Sequence, residues 1–197
     1  AFVRVGLPPE PDPLEHLDQD GVTMGLGLVS RWPIGSVQEP LLPSEGRLLR
    51  ALVATVEHPL GGLRVVVGAT SWEPDRADET AAQVAQLQRL VTDGAGDRML
   101  PSLLLADLNY DRDQPPLAGF TLRDGWEGAE PDADSRTLSS QNRFAPPEAV
   151  DQYDRRIDHV AYEPGRAGVR AIAARVIRDE PDGIPPSDHY PVVVDLD

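Results

Sequence analysis

An α/β (α+β) sandwich is the fold class this sequence predicts, on three observations. Short β-rich runs dominate the chain, a single segment carries a convincing helical period, and no linker or internal repeat divides the 197 residues. Some runs look paired as hairpins, while others are continuous and apolar, as strands buried on both faces are. That mixture fits packed layers better than a doubly wound parallel sheet. The length suits one domain, residues 1–197, with a sizeable core.

Residues 8–20, PPEPDPLEHLDQD, are Pro-rich and acidic and read as a loop. MGLGLVSRWPI, a Gly-opened apolar run closed by Pro33, predicts one strand. GRLLRALVATVEH and GLRVVVGAT are β-rich runs separated by PLGG, a hairpin signal. The helix spans about Arg76 to Val91: Ala81, Val84, Leu87 and Val91 share one face, acids crowd its start and Gly94 follows its end. PSLLLADLN is an apolar run that stops abruptly in polar residues, as a buried strand does. Residues 110–147 are loop-rich, and RRIDHVAYE, GVRAIAARVI and YPVVVDL complete the set as three strands.

The net charge of −15 argues against a general nucleic-acid or anionic-membrane surface, because phosphate binding leaves a basic footprint. It leaves room for an enzyme acting on phosphates, since a divalent cation can supply positive charge locally. Every basic residue other than His is Arg, which reads as a coding bias. Cys is absent, so disulfides, thiolate zinc sites and Cys nucleophiles are excluded. With no signal-peptide pattern in view, this favours the cytoplasm, and no apolar run approaches the length of a bilayer span.

Three stretches share one layout, an apolar strand ending in carboxylate, amide or imidazole: LLLADLN with Asp107 and Asn109, RRIDHV with Asp158, and PPSDHYP with Asp188 and His189. Polar groups gathered at strand ends are how a rigid scaffold presents a site. Strand alternation predicts that Asp107 and Asn109 point the same way. Each stretch alone has a plainer role. Asp-x-Asn closes turns or caps helices, Asp158 can pair with Arg155 or Arg156, and His16 and His58 read as hydrogen-bonded surface residues. Their joint occurrence in this order is far more specific.

In that combination the chain resembles the endonuclease/exonuclease/phosphatase superfamily from about Gly21 to the C-terminus. GLGLVSRWPI is similar to that family's Gly-rich strand ending in Leu-Ser-Arg-x-Pro-Ile, and LLADLN to its Gly-Asp-x-Asn motif, with Ala106 in place of Gly. RRIDHV is similar to Arg-Ile-Asp-Tyr, and PPSDHYPV to the closing Ser-Asp-His-x-Pro-Val. The resemblance implies a deoxyribonuclease I-like, four-layer sandwich of two mixed β-sheets flanked by helices. It implies a metal-dependent phosphoric ester hydrolase in which Asp107 positions and activates water and Asn109 contacts the phosphate or a second metal. His189 acts as general base or binds the phosphate, Asp158 orients its imidazole, Asp188 ligates Mg²⁺ or Mn²⁺, and His159 takes no part.

The pattern also departs from the family in places. The family's N-terminal Asn and metal-binding Glu segments have no counterpart, and Glu10 and Glu15 are poor substitutes; with Ala1 as first residue, we expect further residues ahead of it in the natural protein. GATSWEPD replaces Thr-His-Leu and leaves Ser71 near the imidazole's position, and Thr80 stands where an Arg precedes Gln83. Three readings follow: a phosphoesterase acting on a small or lipid-like phosphoester in preference to nucleic acid; a catalytically degenerate pseudoenzyme or binding module; and a fragment without independent function. Ser71 and Asn142 are candidate substrate contacts, and Trp126, Arg136 and Arg143 candidate cleft residues.

Overall fold

The computed structural model describes residues 2–5, 25–93, 100–130, 133–152, 154–165 and 168–197. The 8–20 loop with Glu10, Glu15 and His16 lies outside the described residues, as does Gly94. The strands, in chain order, are β1 (Phe2–Val5), β2 (Leu26–Val29), β3 (Ile34–Gln38), β4 (Leu41–Leu42), β5 (Leu49–Arg50), β6 (Leu52–His58) and β7 (Gly61–Ala69). After the helix α1 (Ala77–Thr92) come β8 (Ser102–Asp107), β9 (Arg123–Asp124), β10 (Asp158–Tyr162), β11 (Ala171–Val176) and β12 (Val192–Leu196).

Six strands form one mixed sheet in the order β3-β6-β7-β8-β10-β9, parallel only between β7 and β8. The parallel step is the one crossed by α1, as a parallel connection requires. The two sheet faces carry separate cores because strand side chains alternate. Val53, Val66, Leu104, Ala106 and Ala161 pack with Val84, Leu87 and Val91 of α1. Leu52, Ala54, Val56 and Val65 face the other way, against Leu28 of β2. The molecule is thus an α+β sandwich of mixed sheets with few helices. Beside the six-stranded sheet, the described residues form two-stranded antiparallel ribbons, β1–β2, β4–β5 and β11–β12. No described helix is long and apolar enough to cross a membrane.

Two expectations are corrected here. MGLGLVSRWPI is two strands, β2 and β3, in different sheets. Pro33 cannot donate to a ladder, and Ser30 Oγ accepts from the Trp32 amide at 3.0 Å to turn the chain between them. The buried face of α1 is also rotated from the one expected: Thr80 and Gln83 are buried with Val84, Leu87 and Val91, while Ala81 is only half-buried. The two polar residues are stabilised there by hydrogen bonds, Thr80 Oγ1 donating to the Ser71 carbonyl at 2.8 Å and Gln83 Nε2 to the Pro43 carbonyl at 2.9 Å.

Candidate active site

The ends of β8 and β10 and the loop before β12 bring Asp107, Asp158 and His189 together. Asp107 ends β8, Asp158 opens β10, and the antiparallel register sets them directly opposite one another. Like charges at such a pair destabilise a sheet, so a compensating cation is needed close by. His189 supplies one: its Nδ1 lies 3.0 Å from Asp158 Oδ2. Side-chain atoms of all three residues fall within 4.8 Å of one another, a grouping that could hold a metal ion.

The electrostatics follow from that crowding. Burial, with the charge of Asp158 beside it, raises the Asp107 carboxyl to about 6. Burial works against a charged His189, but the hydrogen bond and charge of Asp158, aided by Asp107 and Asp188, outweigh it and raise the imidazole to about 9. His189 is therefore protonated near neutral pH, and the Asp107 carboxyl is held well above the usual carboxylate range.

Asn109 departs from the alternation expected of it. The strand stops at Asp107, and Asn109 takes a left-handed φ of 56°, a region Asn tolerates better than most residues. Asp107 Oδ1 accepts from the Asn109 amide at 2.9 Å, so this Asp-x-Asn does close a turn. Asn109 Nδ2 then donates to the Thr70 carbonyl at 2.8 Å, tying the ends of β7 and β8 together. Asp188 is exposed beside His189, its Oδ1 accepting from Ser187 Oγ at 3.0 Å, and it stands outside the three-residue grouping.

Ser71 lies on the other side of β8 in a different setting. It is 2 % exposed, and its hydroxyl donates to Glu79 while accepting from Arg47 at 2.7 Å and from Gln83 at 2.8 Å. Arg47 forks onto Glu73 at 2.7 and 2.8 Å, and Arg76 reaches Glu79 at 3.1 Å. Burial opposes ionisation of Glu79, yet the Ser71 hydroxyl, the Glu45 amide and both guanidinium groups hold its carboxyl down to about 2. Asn142, 3 % exposed, donates through Nδ2 to the carbonyls of Ser187 and Asp188 at 2.9 and 3.0 Å.

The remaining candidates fall elsewhere. Arg136 pairs with Asp134 and Asp154 on the surface. Arg143 covers the ring of Phe144, and Trp126 lies under Arg156. His159 is buried on the opposite sheet face from Asp158; Nε2 meets the Tyr110 carbonyl at 3.0 Å, and Nδ1 meets Arg156 and Asp124. Arg156 thus pairs with Asp124 at 2.7 Å, leaving Asp158 to His189. His58 accepts from the Leu60 amide and packs against Trp32. A groove of about 450 Å³ lined by Leu63, Leu103 and Leu196 lies at the far end of the sheet from Asp107 and holds none of this chemistry.

The residue missed in the sequence is Thr137. It is fully buried between the two arms of the site, and a lone Thr in a loop-rich stretch carries no periodic signal. Only its position ahead of Asn142 and Asp158 could have marked it.

The model of the endonuclease/exonuclease/phosphatase family matches residues 6–189. The chain belongs to that family. Endonucleases, exonucleases and phosphatases share the hydrolysis of a phosphate ester, and the family generally uses divalent metals. No curated protein matches the chain significantly. Among solved structures, it is similar to a mannosyl-6-phosphatase of Bacteroides thetaiotaomicron, with 15% identity, a TM-score of 0.65, and 99% of this chain and 76% of that chain covered. A humanized TDP2 of D. rerio gives 14% identity and a TM-score of 0.69, covering 100% of this chain and 76% of that one. The human Nocturnin catalytic domain with bound sulfate gives 17% identity and 0.65, covering 100% and 72%. At these identities the likeness to this family's structures is one of fold.

The donor set fits the hard, oxygen-seeking cation such a family uses. Three carboxylates, Asp107, Asp158 and Asp188, act on a single imidazole, so the charges around His189 do not balance within the protein.

Proposed function

We propose that the protein is a divalent-metal-dependent phosphoesterase, hydrolysing a phosphodiester or phosphomonoester. The observation that carries this reading is the convergence of Asp107, Asp158 and His189 at the opposed ends of β8 and β10. Asp107, ionised above about 6, takes a proton from a water whose oxygen attacks phosphorus. The bond to the ester oxygen breaks on the far side, and that oxygen leaves with the bonding pair and takes a proton from solvent. Asp158 holds the Nδ1 proton of His189, so that Nε2 presents its own proton to a phosphate oxygen as charge develops there. Protonated up to about 9, His189 acts as phosphate binder in preference to base. Asn109 stands beside Asp107 with one Nδ2 proton on the Thr70 carbonyl, and the other serves as a further phosphate contact. Mg²⁺ or Mn²⁺ would be held at the grouping that contains Asp107, with Asp188 beside His189 as a further oxygen donor from the rim; when bound, such a cation neutralises the phosphate and stabilises an in-line displacement.

The acid-rich surface supports a small or lipid-like phosphoester over long nucleic acid. The test is release of p-nitrophenolate from p-nitrophenyl phosphate and its bis-ester, before and after EDTA and with Mg²⁺ or Mn²⁺ restored. Hydrolysis that EDTA abolishes and metal restores is expected; hydrolysis indifferent to EDTA contradicts the reading.

Ser71 favours a second reading, a catalytically degenerate binding module. Its hydroxyl is spent on Glu79, Arg47 and Gln83, at the position where the family resemblance expects an imidazole on the phosphate. This reading predicts saturable binding of inorganic phosphate without turnover, and robust metal-dependent hydrolysis eliminates it.

A further inference from the structure

His189 lies outside β12, on a loop that no strand ladder holds. Its bond to Asp158 therefore depends on something else that fixes this loop against the start of β10. The hydrogen bonds lead to residues 137–142. On the loop side, the Thr137 carbonyl accepts from the Tyr190 amide at 2.9 Å, and Asn142 Nδ2 donates to the Ser187 and Asp188 carbonyls at 2.9 and 3.0 Å. On the strand side, Thr137 Oγ1 accepts from the amides of Ile157 and Asp158 at 3.1 and 3.3 Å, and the Thr137 amide donates to the Arg155 carbonyl at 2.9 Å.

Both side chains are shut away from any substrate. Thr137 is 0 % and Asn142 3 % exposed. Asn142 Oδ1 accepts from the Phe144 amide at 3.0 Å, so its amide and its oxygen are both engaged inside the protein. Two polar groups buried this deeply are retained only where their hydrogen bonds are made, and these bonds join the two arms of the site.

We infer that Thr137 and Asn142 are positioning residues, a clip that joins the start of β10 to the Ser187–Tyr190 loop and so sets the His189–Asp158 hydrogen bond. The inference rests on reading His189 and Asp158 as a working pair. A misplacement of about 1 Å can cost ~10²-fold in rate, so a slack clip costs turnover without removing any group that touches substrate.

The experiment compares Thr137→Val, Thr137→Ser and Asn142→Ala by NMR and kinetics. The NMR signal is the downfield His189 Nδ1 proton, assigned by its loss in His189→Ala. In Thr137→Val and Asn142→Ala this resonance is expected to broaden away and kcat to fall by ~10- to 100-fold with KM unchanged. Thr137→Ser, which keeps the acceptor oxygen, restores both. A wild-type resonance in Thr137→Val and Asn142→Ala, or no such resonance in the wild type, overturns the clip. Asn142→Ala decides alone if Thr137→Val does not fold, because its amide donates only to loop carbonyls. An expected NMR pattern without hydrolysis by the wild type rejects the hydrolase reading and leaves the clip standing. Metal-dependent hydrolysis with an unmoved resonance in both variants does the reverse.

Discussion

Two carboxylate networks flank the end of β8, and they are balanced in opposite ways. Around Ser71, Glu73 and Glu79 face Arg47 and Arg76, and Ser71 and Gln83 fill in with neutral hydrogen bonds. Around His189, three carboxylates share one imidazole. The Glu79 carboxyl is held at about 2, whereas burial first and the Asp158 charge second raise the Asp107 carboxyl to about 6. Matched charge locks a structure, whereas crowded like charge costs stability and persists where a site needs groups that titrate near its working pH. The first network joins α1 to the sheet; the second faces the rim, where a ligand can complete it.

The largest expected effect is on the crowded side. Asp158→Asn keeps the shape of the pair but removes the charge that orients His189, and turnover should fall by ~10²–10⁴. A near-wild-type rate would break the comparison. Next, Ser71→His puts an imidazole inside the matched network. The extra volume should destabilise by ~1–3 kcal/mol in a denaturant titration, with no gain in turnover. A faster enzyme of unchanged stability would show that the network is a vacant half of the site.

The pH dependence sharpens the contrast further. Glu79 is depressed from 4.5 to about 2, so its stabilisation is complete above 4.5 and is lost as pH falls toward 2. That amounts to at most about 3 kcal/mol, and Glu79→Gln should flatten this acid limb of the thermal-stability profile. His189 is raised from 6.5 to about 9, so its contribution is complete below 6.5 and is lost as pH rises through 9. His189→Ala should flatten the alkaline limb alone. The smallest effect belongs to Arg136→Ala. It breaks solvent-screened surface pairs with Asp134 and Asp154, so neither the melting temperature nor KM should move measurably.

What could be read in the sequence was whatever the chain writes contiguously. The helix at Ala77–Thr92, the hairpin joining β6 to β7, and the Asp107, Asp158 and His189 strand ends all lie in short runs whose local pattern carries the signal. What could not be read depends on residues far apart. Arg47, Ser71, Glu79 and Gln83 meet only because α1 packs across the sheet. Thr80 and Gln83 break the apolar stripe of α1, and their burial makes sense only once their partners on Ser71 and Pro43 are known. Thr137 lies in a loop whose composition marks nothing, and its importance comes from the two segments it touches. Pro33 did mark a boundary, but that boundary divides two sheets and does not end a single strand.

The most direct test of the central claim sets the wild type beside Asp107→Ala and His189→Ala in Mg²⁺, measuring phosphoester turnover with folding checked by thermal melts. Loss of at least ~10²-fold in each folded variant is the predicted result. Wild-type turnover in either would contradict the assignment of this strand-end cluster as the reaction centre.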